Sequence, residues 1–198
     1  MSLLGTSRQR QTAQPPDRAD ALADISVRDL EDHELRLGDL WRDQPAALVF
    51  LRHYGCTHCR AHAVELHRAR DDFAAAGVRL AVIGHGRPEH ARDFQRAQKV
   101  EGLELYVDSG RDAYRAAGTK VATLGELFNP GSVAQAAKNL ASERIVQGLV
   151  KGHAAQLGGV LIVKPDGTVP YAHLAEDAAD NAPAGEVVAA ARAAADDR

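Results

Sequence analysis

Between residues 46 and 76, a short apolar run, a glycine, two cysteines and a helical segment follow one another. The run 46–51 is apolar throughout, which is typical of a strand buried on both faces of a sheet. Gly55 lets the chain turn, and residues 56–76 contain no proline or glycine. Apolar residues recur there at helical spacing, at Ala63, Leu66, Ala69 and Phe73. A buried strand is therefore predicted to lead through a turn into a helix whose start carries both cysteines.

Strand and helix patterns alternate along the rest of the chain. Further strands are predicted at residues 25–30, 34–37, 78–84, 103–107, 159–163 and 168–171. Further helices are predicted at residues 88–100, 111–117, 132–147 and 185–195. The first two of these strands form a hairpin at the N-terminal end, and residues 119–155 form a helical insertion. This order, which has no internal repeat, predicts an α/β fold in which helices flank a central mixed sheet.

Charge and length indicate an ordinary globular protein. A net charge of −3 is too small to hold the chain open, and 198 residues suit a single domain. Residues 1–20 are rich in glutamine, arginine, serine and proline, which predicts a disordered tail. Residues 21–198 are predicted to form the single domain.

Several partners and locations are disfavoured by composition. No apolar run approaches the roughly 20 residues of a membrane helix, and residues 1–18 lack the apolar segment of a secretory signal. A sequence pI of about 6.3 with scattered charges argues against a nucleic-acid surface. A cytoplasmic protein with neither membrane nor nucleic-acid partners is expected, and the sequence leaves an oligomer open.

Cys56 and Cys59 are the only cysteines of the chain. Two randomly placed cysteines would stand three residues apart in roughly one chain in a hundred, so the spacing favours a functional pair. At a helix start, unpaired N–H groups and the positive end of the helix dipole favour the thiolate of Cys56. Cys59 lies one helical turn further on and can attack a mixed disulfide. We therefore assign Cys56 as nucleophile and Cys59 as resolving residue, with His58, if protonated, stabilising the thiolate.

Two other interpretations of the cysteine pair stay open, as buried structural thiols or as half of a metal site. Zinc needs three or four ligands, and His58, His62 and His153 are available, but the chain has no second cysteine pair. The redox interpretation is preferred, so no metal is predicted. The neighbouring side chains that could support the site are His53, Tyr54 and Arg60.

Two segments resemble a known family. Residues 48–60, Leu-Val-Phe-Leu-Arg-His-Tyr-Gly-Cys-Thr-His-Cys-Arg, resemble the peroxiredoxin-like proteins of the AhpC/TSA antioxidant superfamily, which have a thioredoxin fold. The most similar branch has paired cysteines and includes the prostamide/prostaglandin F synthases. Residues 156–167, which begin Gln-Leu-Gly-Gly, and residues 171–173 also resemble this branch. The resemblance covers residues 24–195 and implies a thioredoxin-like central sheet.

The resemblance also implies a reaction and its partners. The substrate would be a peroxide or a disulfide, and a dithiol reductant such as a thioredoxin-type protein would restore the reduced pair. No organic cofactor is required. The sequence contains no glycine-rich nucleotide-binding motif, because Gly84 and Gly86 are not followed by a glycine three residues later, as the G-x-G-x-x-G pattern requires.

Three features of the peroxiredoxin pattern are missing. Aligning its Pro-x-x-x-Thr-x-x-Cys motif on Cys59 puts Cys56 on the threonine and Arg52 on the proline, and no arginine stands just before the late strand. Gly158 or Gly159 stands where thioredoxins place a cis-proline that faces the cysteine pair. The thioredoxin pattern makes Cys56 the attacking residue, whereas the peroxiredoxin alignment makes it Cys59. We prefer Cys56, which is expected to be the more exposed.

These patterns predict a thiol–disulfide oxidoreductase or a thiol-dependent antioxidant reductase that uses the cysteine pair. Without the proline, threonine and arginine, slow reaction with hydrogen peroxide and ready exchange with disulfides are expected. The alternative is a non-catalytic thioredoxin-fold module that binds a ligand, a partner or zinc, with residues 119–155 forming the contact.

Overall fold

A mixed sheet of seven strands forms the centre of the protein in the computed structural model, which describes residues 12–123 and 153–196. The strands are β1 Ser26–Arg28, β2 Glu34–Arg36, β3 Ala46–Phe50, β4 Arg79–Gly84, β5 Glu104–Val107, β6 Gly159–Val163 and β7 Tyr171–Leu174. Their order across the sheet is β2-β1-β5-β4-β3-β6-β7. Strands β3, β4 and β5 are parallel, whereas β1, β2, β6 and β7 pair antiparallel with their neighbours. The predicted hairpin and central mixed sheet are confirmed.

The described residues form six helices. They are α1 Asp20–Ala23, α2 Thr57–Arg68, α3 Arg70–Ala75, α4 Pro88–Gln98, α5 Asp112–Ala116 and α6 Ala184–Asp196. The single helix predicted over residues 56–76 is divided at Ala69, where the backbone leaves helical geometry with φ −89° and ψ 2°. No proline or glycine marks this break. The helix predicted at residues 132–147, and most of the insertion around it, lie outside the described residues.

The sheet buries both of its faces, and β3 lies inside it, between β4 and β6, with every residue buried. One face packs against α2, α3, α4 and α6, through residues that include Val49, Leu66, Phe73, Phe94 and Val187. The other face packs against α1, α5 and the 3-10 turn Leu37–Leu40, through residues that include Leu22, Leu48, Phe50 and Tyr114. Successive side chains of a strand point to opposite faces, so an unbroken apolar run is required where both faces are covered.

The N-terminal segment joins the domain earlier than predicted. Residues 1–11 of the predicted disordered tail lie outside the described residues. Among residues 12–20, the Gln14 N–H donates to the Gly118 carbonyl at 3.0 Å, and Arg18 forms a bridge with Thr168. Ala19 is buried in the core beside α1. The backbone contacts of the domain therefore begin before residue 21.

Candidate active site

The turn between β3 and α2 places both cysteines at the start of the helix, as predicted. Cys56 is the N-cap residue of α2, with extended backbone at φ −71° and ψ 125°. Its carbonyl accepts the first helical hydrogen bond, from the Arg60 N–H at 3.0 Å. Its sulfur accepts a hydrogen bond from the Cys59 N–H at 3.5 Å, as a capping side chain does. The same geometry that begins the helix therefore directs backbone donors at the Cys56 sulfur.

Arg52 contacts both cysteines. Its guanidinium donates from Nη1 to the Cys56 sulfur at 3.5 Å, and its backbone N–H donates to the Cys59 sulfur at 3.3 Å. The two cysteines are reduced and approach each other to 3.2 Å. A cation and several N–H groups thus surround a pair of sulfur atoms in a site closed to solvent.

These contacts separate the acidities of the two thiols. The pKa of Cys56 is lowered to about 6, first by the hydrogen bond from the Cys59 thiol and then by the Arg52 charge and the Cys59 and His58 N–H groups, which together outweigh the opposing effect of burial. Burial raises the pKa of Cys59, and the thiolate of Cys56 beside it acts in the same direction. Near neutral pH, Cys56 is therefore the thiolate and Cys59 the thiol.

Exposure does not distinguish the two cysteines, contrary to the prediction. Cys56 and Cys59 are each 2% exposed. The N-cap position of Cys56 directs its side chain back toward the Cys59 N–H rather than out to solvent. The choice of Cys56 as nucleophile rests instead on its lowered pKa.

An arginine from another part of the chain lies beside Cys56, although none stands just before the late strand. Sequence reasoning placed Arg52 on the proline of the peroxiredoxin motif and gave it no role. In the structure its Nη2 donates to the Ala154 carbonyl at 3.0 Å, and its own carbonyl accepts a hydrogen bond from Nε2 of His85. The first contact holds the guanidinium beside Cys56, and the second fixes the backbone of Arg52. An arginine just beyond a buried strand and four residues before the first cysteine was the available signal.

Two buried histidines near the pair, His53 and His85, are neutral near pH 7. Burial lowers the pKa of His53 and of His85 to about 4, and nearby arginines act in the same direction. Nδ1 of His53 accepts from the Gly55 N–H at 3.2 Å, which steadies the turn. His58 contributes its backbone N–H to the Cys56 sulfur, while its ring lines a cleft on α2. The predicted charged role of the His58 ring stays a prediction.

Tyr54 and Arg60, two other predicted site residues, lie next to the pair for structural reasons. Tyr54 is buried, its hydroxyl donates to the Tyr106 carbonyl at 3.2 Å, and its ring packs against Phe94 with centroids 5.3 Å apart. Arg60 donates from Nε to the Tyr54 carbonyl at 3.1 Å, and its charge interacts with Cys56. Arg60 is therefore within electrostatic reach of the thiolate, whereas Tyr54 belongs to the core.

Gly158 and Gly159, the remaining predicted site residues, permit close approach of backbone segments. A Cβ atom on Gly158 would lie 1.9 Å from the Phe50 carbonyl oxygen, and one on Gly159 would lie 2.6 Å from the His173 carbonyl oxygen. Gly158 also accepts a hydrogen bond from the Ala175 N–H at 3.1 Å. The close approach of Gly158 to β3 and of Gly159 to β7 accounts for both glycines, and their contact with substrate stays a prediction.

We expect Gly158→Ala to lower the free energy of unfolding by about 1–3 kcal/mol, because the added methyl meets rigid backbone. Gly185→Ala is the matched control, since nothing lies within 4 Å of a Cβ atom there. Its position in the first turn of α6 should leave stability unchanged or slightly raised. Urea unfolding measures the free energy of unfolding of both variants. Equal values would show that β3 and the segment ahead of β6 move apart to admit the methyl group at little cost in free energy.

The zinc interpretation gains no ligand set from the structure. Within residues 12–123 and 153–196, no three or more histidine, cysteine or acidic side chains are grouped so that they could hold a metal ion. His62 lines a cleft between α2 and residues 179–183. The pKa values of the two cysteines are set mainly by their contact with each other, by burial and by Arg52.

Comparison with known proteins places the chain in a family. A family model described as AhpC/TSA antioxidant enzyme matches residues 65–177, and the chloroplastic thioredoxin-like protein AAED1 of Arabidopsis thaliana is 30% identical over 180 residues. That alignment covers 87% of this chain and 72% of the relative. The chain belongs to the AhpC/TSA antioxidant enzyme family. The prostamide/prostaglandin F synthase of Danio rerio is 31% identical over 162 residues, covering 79% of this chain and 78% of that protein.

A solved structure of the family confirms the thioredoxin-like fold. The peroxidoxin BcpB of Mycobacterium tuberculosis superposes with a TM-score of 0.64 at 17% identity, covering 89% of this chain and 97% of that one. Membership of the AhpC/TSA family supports a thiol-dependent redox function with, in general terms, a thiol reductant and a peroxide substrate. The family match begins at residue 65, beyond both cysteines, so the roles of Cys56 and Cys59 rest on the geometry above.

The location of the protein stays a prediction. None of the helices in the described part of the chain has the length and apolar character needed to cross a membrane. The name of the Arabidopsis AhpC/TSA relative assigns that relative to the chloroplast.

Proposed function

We propose that the protein is a thiol-dependent reductase in which Cys56 attacks the substrate and Cys59 resolves the product. The observation that supports this most strongly is the Cys56 sulfur, which accepts from the Arg52 guanidinium and the Cys59 N–H in a buried site. Donors aimed at a sulfur atom stabilise its thiolate, which is the nucleophilic form.

With a peroxide as substrate, the thiolate of Cys56 attacks one oxygen, the O–O bond breaks, and the departing oxygen leaves as water or an alcohol after taking a proton. Cys56 becomes a sulfenic acid. The sulfur of Cys59 then attacks the Cys56 sulfur, the S–O bond breaks, and the Cys59 proton leaves with the hydroxyl as water. A dithiol reductant returns two electrons and two protons to the Cys56–Cys59 disulfide.

With a disulfide as substrate, the same two residues act in the same order. The Cys56 thiolate attacks one sulfur and releases the other as a thiol, which leaves a mixed disulfide on Cys56. Cys59 then displaces the bound half. The raised pKa of Cys59 keeps it protonated until Cys56 has reacted, so the second step follows the first.

Small peroxides are the substrates that these features favour. Both thiols are 2% exposed, so a small molecule reaches Cys56 more readily than a disulfide held in another protein. The prediction of slow peroxide reaction rested on a missing proline, threonine and arginine. Arg52 places a cationic donor at the thiolate, where it can also bind the oxygen that carries developing negative charge.

The experiment that tests the proposal adds hydrogen peroxide to the fully reduced protein and follows free thiols and protein mass. We expect both thiols to be lost together with two hydrogens, and a dithiol to restore them with repeated turnover. Hydroxyethyl disulfide, used in parallel, compares the two substrate classes. Thiols that survive peroxide and disulfide alike, in a protein shown to be folded, would contradict the proposal and favour a binding module.

A further inference from the structure

A polar cleft lies between one face of α2 and the segment that precedes α6, with a volume of about 280 Å³. The face of α2 contributes His58, His62 and Glu65, which are spaced four and three residues apart and therefore lie on one side of the helix. The opposite wall includes Asn181 and Ala182. We call this the α2 cleft. His58, which stands between the two cysteines in sequence, lines the cleft, whereas neither cysteine does.

His62, which lines this cleft, carries a buried ring nitrogen that lacks a hydrogen-bond partner among the described residues. The residue is 5% exposed, and burial lowers the pKa of its ring to about 4, so the imidazole is neutral near pH 7. One ring nitrogen is engaged with the Ala182 backbone, whereas the buried Nε2 has no hydrogen-bond partner in the described structure. Since a neutral imidazole that donates through one nitrogen accepts through the other, Nε2 calls for an incoming N–H or O–H. A buried acceptor without a donor is costly, and a ligand can satisfy it.

Glu65 and Asn181 bring two further acceptor groups to the α2 cleft. Glu65 is exposed at the cleft and carries a carboxylate. Asn181 donates from Nδ2 to the Ala179 carbonyl at 3.4 Å, which leaves its Oδ1 oxygen as an acceptor. Among the described residues that line the cleft there is no lysine or arginine. The walls between these groups are alanine and proline side chains, which suit a short apolar stem.

We propose that the α2 cleft binds an alkylammonium or alkylguanidinium group. Its charge would pair with the Glu65 carboxylate, its N–H groups would donate to Nε2 of His62 and Oδ1 of Asn181, and its alkyl stem would lie against the alanine and proline walls. The volume lies just below the range of about 300–1,000 Å³ that drug-sized ligands occupy, so it suits a small amine or one lysine or arginine side chain. This site does not depend on which cysteine attacks first.

The test is an NMR titration of the reduced full-length protein with n-butylammonium, followed through the His62 ring and Asn181 amide resonances. Binding in the millimolar range is expected for so small a ligand. Butanol and butyrate, which lack the ammonium charge, should move these resonances far less. Glu65→Gln should weaken binding about two- to fivefold, the usual size of one exposed ion pair. Glu101→Gln, which removes an exposed carboxylate outside the cleft, is the matched control and should not change it.

A second titration distinguishes a free amine from a side chain of a partner polypeptide. Tighter binding of N-acetyl-lysine methylamide than of n-butylammonium would assign the cleft to a polypeptide, and equal or weaker binding would assign it to a free amine. The proposal is overturned if neither cation moves the His62 and Asn181 resonances, or if Glu65→Gln and Glu101→Gln bind equally. Because every measurement is of binding, the cation-binding proposal can fail while the reductase proposal stands.

Discussion

Replacing Cys56 by serine should lower turnover by on the order of a thousandfold or more, because the attacking atom is lost and a serine hydroxyl is not ionised near pH 7. Cys59→Ser should instead complete one reaction per chain and then stop. The serine hydroxyl at position 59 can still donate to the Cys56 sulfur, as the Cys59 thiol does, so the pKa of Cys56 stays low. Single-turnover oxidation by hydrogen peroxide, followed by mass spectrometry, separates the two results.

The two serine variants also decide between the alternative assignments of the cysteines. In Cys59→Ser we expect one added oxygen, held as a sulfenic acid on Cys56 and trapped by a dimedone-type reagent. Cys56→Ser should show no rapid oxidation, since the pKa of Cys59 is raised by burial. If Cys56→Ser forms the sulfenic acid and Cys59→Ser does not, the peroxiredoxin alignment is right and Cys59 attacks. The double variant is the control for oxidation elsewhere in the chain.

Patterns with a strict period could be predicted from the sequence. The apolar run that became β3 has every residue buried between two layers, so its position and its burial on both faces follow from its unbroken apolar character. The division between α2 and α3 at Ala69 could not be predicted in this way. Ala69 favours helix, so local preference does not account for the break.

The cysteine pair was predictable, but its surroundings were not. A strand, a turn and a helix in that order place Cys56 at an N-cap, and the acidity of an N-cap thiol follows from local backbone geometry. The contact from Arg52 depends on where the turn beyond β3 folds, and the bond from Arg52 to Ala154 joins residues far apart in sequence. The packing of Tyr54 against Phe94 is a further contact that the sequence does not show. The supporting role of Tyr54 at the site stays a prediction.

Burial of the thiolate has a consequence for reactivity. Removing a charged sulfur from water raises its pKa, so a buried thiolate needs donors that more than offset this cost. At Cys56 these donors are the Cys59 thiol, the Arg52 guanidinium and two backbone N–H groups. Such a thiolate carries no hydration shell that must be displaced before substrate approaches. The donor set around Cys56 is therefore the feature whose removal should cost the reaction most after the cysteines themselves.

Replacing Arg52 by methionine should slow the reaction of Cys56 at pH 7 by roughly tenfold to a hundredfold, the range expected for a lost hydrogen bond to a charged group. The wild-type rate should rise as the pH increases through about 6, where the thiol ionises, and stay level above that. In Arg52→Met the midpoint should move upward toward the ordinary value of about 8.5. Alkylation by iodoacetamide in the Cys59→Ser background measures the midpoint, and peroxide oxidation under the same conditions measures the rate.

Arg52→Lys and Arg96→Met distinguish charge and geometry from general effects of substitution. Lysine keeps the charge but lacks the planar group that donates to both the Cys56 sulfur and the Ala154 carbonyl. The midpoint of its pH dependence should therefore lie between those of the wild type and Arg52→Met. Arg96 is exposed on α4 and paired with Asp93, and its replacement should change neither midpoint nor rate. If Arg52→Met behaves like Arg96→Met, then Cys59 and the backbone N–H groups suffice to hold the thiolate. If its midpoint rises but its rate on fully ionised thiolate is unchanged, Arg52 sets the acidity of Cys56 and does not bind the peroxide.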